Sequence, residues 1–529
     1  MLTFKRKKIK FMKRNIIKRN IYLLTAAIIL CAATIVACNK KLNVLDENNP
    51  TTESYFKNST ELQNGVNAIY STLRSGNLVG REWFFTHDMR GSETSSGGAQ
   101  LEAPRAELLK QPSPSPSNAV MTSVWTGCYQ MINRANLVIS KAPDVNDNPQ
   151  LRDELVGEAE FLRAWAYFEL VSQWGDVPLY TEPVTSPTDY KAKSPAADIY
   201  ALVISDLNDA ASKLPDVGLQ PGRATKGAAN ALLGRVEMQN GDYAAAKEAL
   251  LKVYGKYKLV DNFSDNFDGD IKYGDNLSQT HPADNEFNSE SIFEVVFVDK
   301  GDNNFNWGYT GEGATADASI MRSQEYGIVW GNVVPSDKIL DEFEPNDPRY
   351  KYTFYESGDK IVTLGGTVPG VALTENDPPY NMNVAQSNHN GDVRKRVYRK
   401  YSVLDYIKDD FHPDGINQRL IRYADVLLML AECEAETGTP ANAAKYINEV
   451  RARKSVNMPP VTTPSKNQAI AAVMHERAVE LAGEEINNID ILRWRKKGYY
   501  PSIRPDPKPG QVDMLPIPAS EIAANPLIK

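Results

Sequence analysis

The chain has 529 residues, with 59 basic and 67 acidic side chains, a formal charge of −8, four Cys and five His. Four cysteines in a chain of this length rule out a cysteine-stapled scaffold, and their spacing fits no zinc site. The acidic excess argues against a DNA or RNA partner, because binding a phosphate backbone needs basic surface.

The N-terminus is the exception to that balance. Lys5, Arg6, Lys7, Lys8, Lys10, Lys13, Arg14, Lys18 and Arg19 carry nine positive charges with no acid among them. An apolar run of 17 residues follows at 21–37, then Cys38. A basic end, a short apolar core and a small residue before a cut mark an export signal. A permanent membrane helix is the alternative, but 17 residues is the lower limit for spanning. Ile35-Val36-Ala37-Cys38 resembles a bacterial lipobox, with Ile35 where Leu is usual. Cleavage there leaves Cys38 to carry lipid, and several acyl chains together anchor stably. Met12 begins a more ordinary leader, so the start codon stays open. Losing nine basic residues leaves 50 against 67 acidic ones, a mature charge of about −17. Residues 38–52 read as a polar tether.

Helical periodicity begins soon after. Leu62, Val66, Ile69, Tyr70 and Leu73 recur at spacings of three and four. Val124, Cys128, Met131, Ile132, Ala135, Leu137 and Val138 repeat the pattern, and 154–174 does so again before Gly175-Asp176-Val177-Pro178. Such spacing predicts one apolar face per helix. The Pro- and Ser-rich stretch 111–118 is a loop between two of these patterns. Segments 225–254 and 421–454 each read as helix, Gly-containing turn, helix. In the first, Leu233-Gly234, Gly241-Asp242-Tyr243 and Ala246 resemble the tetratricopeptide consensus; in the second, Ala431, Gly438 and Ala444 hold similar places. Stacked pairs of this kind bury a continuous core. Between them, 257–420 is rich in Asn, Asp, Gly, Tyr and Trp, with a strand expected at 291–298 and a weaker apolar run at 360–373. The remainder reads as long loops, the usual carriers of binding residues on a rigid scaffold. Cys128 and Cys433 fall in helical patterns, as a disulfide or as buried thiols.

These segments together resemble the SusD/RagB family of outer-membrane nutrient-binding lipoproteins. The resemblance runs through 125–139 and is densest at 158–180, where Arg163, Ala164, Tyr167, Phe168, Trp174, Gly175, Pro178 and Leu179 stand in the family's places. It continues at 422–438, 447–455, 475–497 and 515–528. One departure is clear: Glu485 and Asn487 stand where the family has Gly and Arg, which predicts a weakened local contact. The resemblance implies a mainly α fold, a superhelix of tetratricopeptide-like pairs with an irregular, loop-rich ligand-binding portion containing short strands. It implies one domain at 53–529, with its helical scaffold mainly in 53–256 and 421–497 and a loop-rich insert at 257–420. It further implies a lipid-anchored protein on the outer face of the outer membrane. Its partners would be a SusC-like TonB-dependent transporter and an oligosaccharide or related nutrient oligomer, with no catalysis and no cofactor.

Sugars offer apolar CH faces ringed by hydroxyls, which aromatic rings and planar polar side chains match. Two loop clusters fit. One is 81–94, with Trp83, Asp88 and Arg90; the other is 303–332, with Trp307, Tyr309 and Trp330. Trp125, Trp165, Trp174 and Trp494 lie in helical motifs and read as structural. Two other classes compete. A helical glycoside hydrolase needs two carboxylates across the scissile bond, and Asp88 with Glu93 is the best local pair. The five scattered histidines form no HExxH zinc motif. Asp-rich turns at 267–276 do not match an EF-hand, though isolated calcium ligation there stays open. The other competitor is a tetratricopeptide scaffold that binds only protein.

Overall fold

The computed structural model describes residues 55–97, 101–267, 271–273, 279–281, 285–298, 319–326, 331–356, 360–361, 371–372, 396–401 and 415–528. Residues 58–529 form one contact unit. The leader, Cys38 and the tether lie outside the described residues. Among the described residues no helix is long and apolar enough to cross a membrane.

The helices used below are α1 (Ser59–Leu73), α2 (Glu82–Asp88), α3 (Ala103–Lys110), α4 (Ala119–Lys141), α5 (Pro149–Trp174), α6 (Ala196–Lys213), α7 (Lys226–Asn240), α8 (Tyr243–Leu251), α9 (Tyr423–Thr437), α10 (Pro440–Arg451), α11 (Lys466–Leu481) and α12 (Asn487–Lys496). The side chain of Asn58 opens α1 by accepting from the Glu61 N–H at 3.0 Å. This satisfies one of the amides that a helix start leaves unpaired. The α1 face made by Leu62, Val66, Ile69 and Leu73 is buried, as its spacing predicts. So is the α4 face, except Leu137, which stays partly exposed.

Helix α5 departs from the one-face expectation. From Glu158 to Trp174 it is buried all round, because α1, α4 and α6 pack on it from several sides. A helix enclosed in this way must bury its polar residues too, and each finds a partner. Arg163 grips Asp206 of α6 through two bonds of 2.8 and 2.7 Å and donates to Asn136 of α4 at 2.8 Å. This explains an arginine in the middle of an otherwise apolar stretch.

The two predicted hairpins are α7–α8 and α9–α10. Gly241 closes α7 at φ +106°, a left-handed conformation in which a Cβ would be strained. Asp242 then caps α8, accepting from Ala245 N–H at 2.9 Å. Within the pair, a Cβ on Gly234 would stand 2.4 Å from Leu250 Cγ, so only glycine lets α7 approach α8 this closely. Helix α8 also packs on α9. The superhelix is therefore continuous across the insert, which leaves after α8 and returns just before α9.

The insert is tied at that return point. Strand β2 (Ser291–Val295) pairs antiparallel with β6 (Gln418–Arg422), which runs directly into α9. The strand predicted over 291–298 thus ends at Val295. Further out, β1 (Thr94–Ser96) pairs with β3 (Val333–Pro335), and β4 (Phe354–Glu356) with β5 (Arg396–Tyr398). Of the weaker run at 360–373, the pair Lys360–Ile361 with Val371–Ala372 is described. Cys128 and Cys433 are buried free thiols, not a disulfide.

Candidate functional site

The first sequence-predicted cluster turns inward. Helix α2 is a two-turn element buried along its whole length. Trp83 is 5 % exposed, its ring 5.0 Å from His87 and 6.3 Å from Trp165. His87 meets Glu169 of α5 at 2.7 Å. Asp88 is 4 % exposed and Arg90 1 %. These three residues are interior in this structure, where the sequence led us to expect an exposed loop. The physical reason is adjacency: Trp83, Phe84 and Phe85 are consecutive, so they point in several directions. Helix α4 and the insert cover those directions.

Burial pushes the Asp88 carboxyl up, against the pull of Arg322. Glu93 goes well above the usual carboxylate range, again chiefly by burial. It accepts from the Gly483 N–H at 2.9 Å.

Among the described residues Arg90 has no carboxylate partner. It donates to the Val512 carbonyl at 2.5 Å, and burial lowers it to about 10. Lys508 beside it donates to the carbonyls of Met89 and Leu109 at 3.3 and 3.4 Å. Burial and the neighbouring cations Lys338, Arg90 and Arg495 bring Lys508 down to about 8. Its folded value lies below its unfolded value, so the charged form destabilises the fold. That penalty is full below pH 8 and fades as pH rises toward about 10.4, where the unfolded chain also loses the proton. Lys508→Met is therefore expected to add about 2 kcal/mol of stability at pH 7. Denaturant titrations from pH 7 to 10 should show the gain shrinking; a constant or growing gain would refute the assignment.

Trp307, Tyr309 and Trp330 lie outside the described residues, as do most of 267–276. The points where their segments join the described chain do converge. The Ser319 hydroxyl donates to the Val298 carbonyl at 2.9 Å. Met321 N–H donates to Gly80 O at 3.3 Å, just before α2. The segment with Trp330 starts after Tyr326, which packs on Phe84, Phe85 and Tyr398 at centroid distances of 5.4, 6.2 and 5.8 Å. It rejoins at Gly331, next to Asn332, whose carbonyl accepts from Gly97 N–H at 2.9 Å. Tyr326 at the edge of the insert thus rests on α2, which forms a floor beneath it.

Under this floor lies a network of buried charge that composition and periodicity did not reveal. Glu480 of α11 accepts from Arg422 and Arg453 at 2.7 Å and from Arg349 at 3.1 Å. Arg422 also binds Glu290 and Glu484, each at 2.7 Å. Lys400 donates to Glu484 at 2.7 Å. Arg322 pairs with Glu485, which also accepts from Gln418 at 2.8 Å. The expected weakening at 485 and 487 does not occur. Glu485 takes φ +59°, which explains a family glycine there, and its carboxylate engages Arg322. Asn487 accepts from Ser92 N–H and Oγ at 2.7 and 3.0 Å.

Such an arrangement defines a class: a helix-pair scaffold whose ionic core ties the described part of an insert to its helices. Comparison with known proteins agrees. A family model described as "SusD family" matches residues 289–512, and one described as "Starch-binding associating with outer membrane" matches 42–238. SusD-like protein P2 of Formosa agariphila is 25 % identical, over 94 % of this chain and 96 % of its own length. SusD-like protein P25 of the same organism is 26 % identical over 90 % and 92 %. A solved laminarin-binding SusD-like protein is 26 % identical, with a TM-score of 0.69 over 89 % of this chain and 99 % of its own. A SusD-like protein from Bacteroides fragilis superposes with a TM-score of 0.71 over 92 % and 98 %, at 23 % identity. The chain belongs to the SusD/RagB family of outer-membrane nutrient-binding proteins. Members of this family bind and do not catalyse.

Proposed function

We propose that this protein captures an oligosaccharide or related nutrient oligomer at the cell surface and delivers it to a SusC-like TonB-dependent transporter. Trp307, Tyr309 and Trp330 hold the sugar faces, and lipid on Cys38 keeps the protein beside its channel on the outer face of the outer membrane. Tethering raises the effective concentration at the transporter without new contacts. The observation that supports this reading is the rooting of the insert on α2, where Tyr326 packs on Phe84 and Phe85 and the Met321 N–H donates to the Gly80 carbonyl just before that helix. The laminarin-binding relative adds weight to a glycan.

A panel of purified glycans and peptides tests the reading. Saturable glycan binding is expected, with Trp307→Ala, Tyr309→Ala and Trp330→Ala each losing more than about 1 kcal/mol, the threshold for a residue that carries binding energy. No saturable binding to any panel member would favour a protein-only tetratricopeptide scaffold. Isolation of the native protein in a membrane complex without a transporter would contradict the delivery step.

A further inference from the structure

Three acidic side chains gather around one arginine where the insert is rooted. Asp88 ends α2, Glu93 immediately precedes β1, and Glu485 follows α11. They are only 4, 5 and 2 % exposed. Arg322, fully buried, opens the short helix Arg322–Tyr326. It pairs with Glu485, donates to the Gly483 carbonyl at 2.5 Å, and lies over the rings of Tyr326 and Tyr401 at 4.4 and 5.2 Å. Among the described residues no ion pair reaches Asp88 or Glu93. Asp88 Oδ2 has no hydrogen-bond partner, and Glu93 Oε2 accepts from the Gly483 N–H. The other nearby cations are already engaged. Lys400 binds Glu484 at 2.7 Å, and Arg477 and Arg493 bind Asp490 at 2.6 and 2.8 Å. His87, beside Asp88, contacts Glu169 at 2.7 Å. Tyr326, Tyr398 and Tyr401 also face the cluster, and burial pushes their phenols up, so they stay neutral. Three carboxylates around one guanidinium would leave two enclosed negative charges unmatched, a state that buried groups avoid by keeping a proton. Burial pushes all three carboxyls up. Arg322 opposes the rise at Asp88 and Glu485, while Asp88 adds to it at Glu93 and Glu485.

We propose that Asp88, Glu93 and Glu485 hold two protons between them at neutral pH, and that these protons latch the helix Arg322–Tyr326 onto α2. The single remaining charge matches Arg322 and belongs to Asp88 and Glu485 as a pair. When a proton leaves to solvent, a second carboxylate shares the enclosed space with one guanidinium, and repulsion is unscreened there. Lifting Arg322–Tyr326 hydrates both charges, so the latch opens. In the open form the carboxyls take ordinary values near 4, while in the closed form they lie higher. The latch is therefore strongest below about pH 4 and weakens as pH rises toward the closed-form values. Glycine is the family residue at 485, so the third carboxyl is this chain's own addition. The inference stands apart from the glycan-binding reading.

The test is amide hydrogen exchange of the full mature protein between pH 5 and 9, corrected for the intrinsic pH dependence of exchange. Protection at Arg322–Tyr326 is expected to fall with rising pH, by up to about tenfold per pH unit for each proton released. Asp88→Asn leaves Glu485 as the one charge matched to Arg322 and should remove one proton's share of that slope. Asp88→Asn combined with Glu93→Gln should flatten it. Glu485→Gly, which suits the φ of +59° at that position, lets Asp88 ionise against Arg322 and should also remove one share, so the test survives if Asp88→Asn does not fold. Glu325→Gln is the control. It weakens the contacts of this helix with Arg81 and Asn332, each at 2.6 Å, and should lower protection equally at every pH. Wild-type protection that is independent of pH overturns the proposal, as does a slope that Asp88→Asn or Glu485→Gly leaves unchanged. A slope spread evenly through α4–α6 marks global unfolding and refutes the latch.

Discussion

Glu480→Gln is expected to cost about 3–5 kcal/mol, the range for breaking a buried ion pair while leaving its partners in place. The substitution keeps size and shape but removes the charge that Arg349, Arg422 and Arg453 share. All four groups are fully enclosed, so no water can replace the lost partner. The three arginines hold Glu480 far below the usual carboxylate range, and Arg453 and Arg422 hold Glu290 at about 2. Arg477 and Arg235 likewise bring Asp425 to about 2. For carboxyls depressed in the fold, the stability they confer is complete above the unfolded value of about 4.3. It is lost as pH falls toward 2. Acid unfolding of the wild type should therefore steepen below pH 4, and Glu480→Gln should flatten that dependence. Because Glu290, Arg349 and Arg422 sit in or beside the insert, amide exchange should rise there before the α4–α5–α6 stack loosens. Denaturant titration and hydrogen exchange check both points. A loss below 1 kcal/mol, or exchange that rises evenly throughout, would show that the network is not the clamp.

Gly97→Ala tests the close approach of β1 to β3. A Cβ at position 97 would lie 1.6 Å from the Gly331 carbonyl oxygen, an impossible approach to backbone. Strands β1 and β3 would have to separate, breaking the register that sets Ser96 against Val333. The expected cost is about 3 kcal/mol, the upper end for overpacking. On the proposed function, glycan affinity should also fall about tenfold or more, because Gly331 adjoins Trp330 and a displacement near 1 Å misplaces contacts. Calorimetric unfolding together with binding to the best panel glycan reads both effects. Unchanged stability would refute the close approach; lost stability with unchanged affinity would separate this strand pair from the binding loops.

Much of the scaffold was legible. Helices α1 and α4 show a three-and-four spacing that needs only local geometry to interpret. The pairs α7–α8 and α9–α10 announce their turns through Gly241 and Gly438. The site was less legible. Trp83 is aromatic, polar-tipped and set among charged neighbours, which is also the profile of a ligand contact. It is covered by helices distant in sequence. Asp88 and Arg90 look like exposed surface residues until Arg322 and Val512 are placed beside them. A signal for the ionic core did exist: Glu476, Arg477, Glu480, Glu484 and Glu485 crowd one stretch otherwise rich in apolar residues. Alternating charge inside an apolar helix is a warning of buried pairing, because lone buried charges are too costly to keep.

What the amino-acid order determined alone was local and additive: helix periodicity, the turn glycines, the basic leader ending at Cys38, and a chain of motifs that marks the family. Those features depend on neighbours within a few turns of the backbone. The tertiary structure decided which charged residues go inside, because a buried carboxylate survives only beside a cation, and the cations come from far along the chain. Arg322 and Glu485 are 163 residues apart, and Gly483 and Glu93 are 390 apart. Only folding brings such partners together, and that meeting places Trp83, Asp88 and Arg90 in the interior and not on an exposed loop.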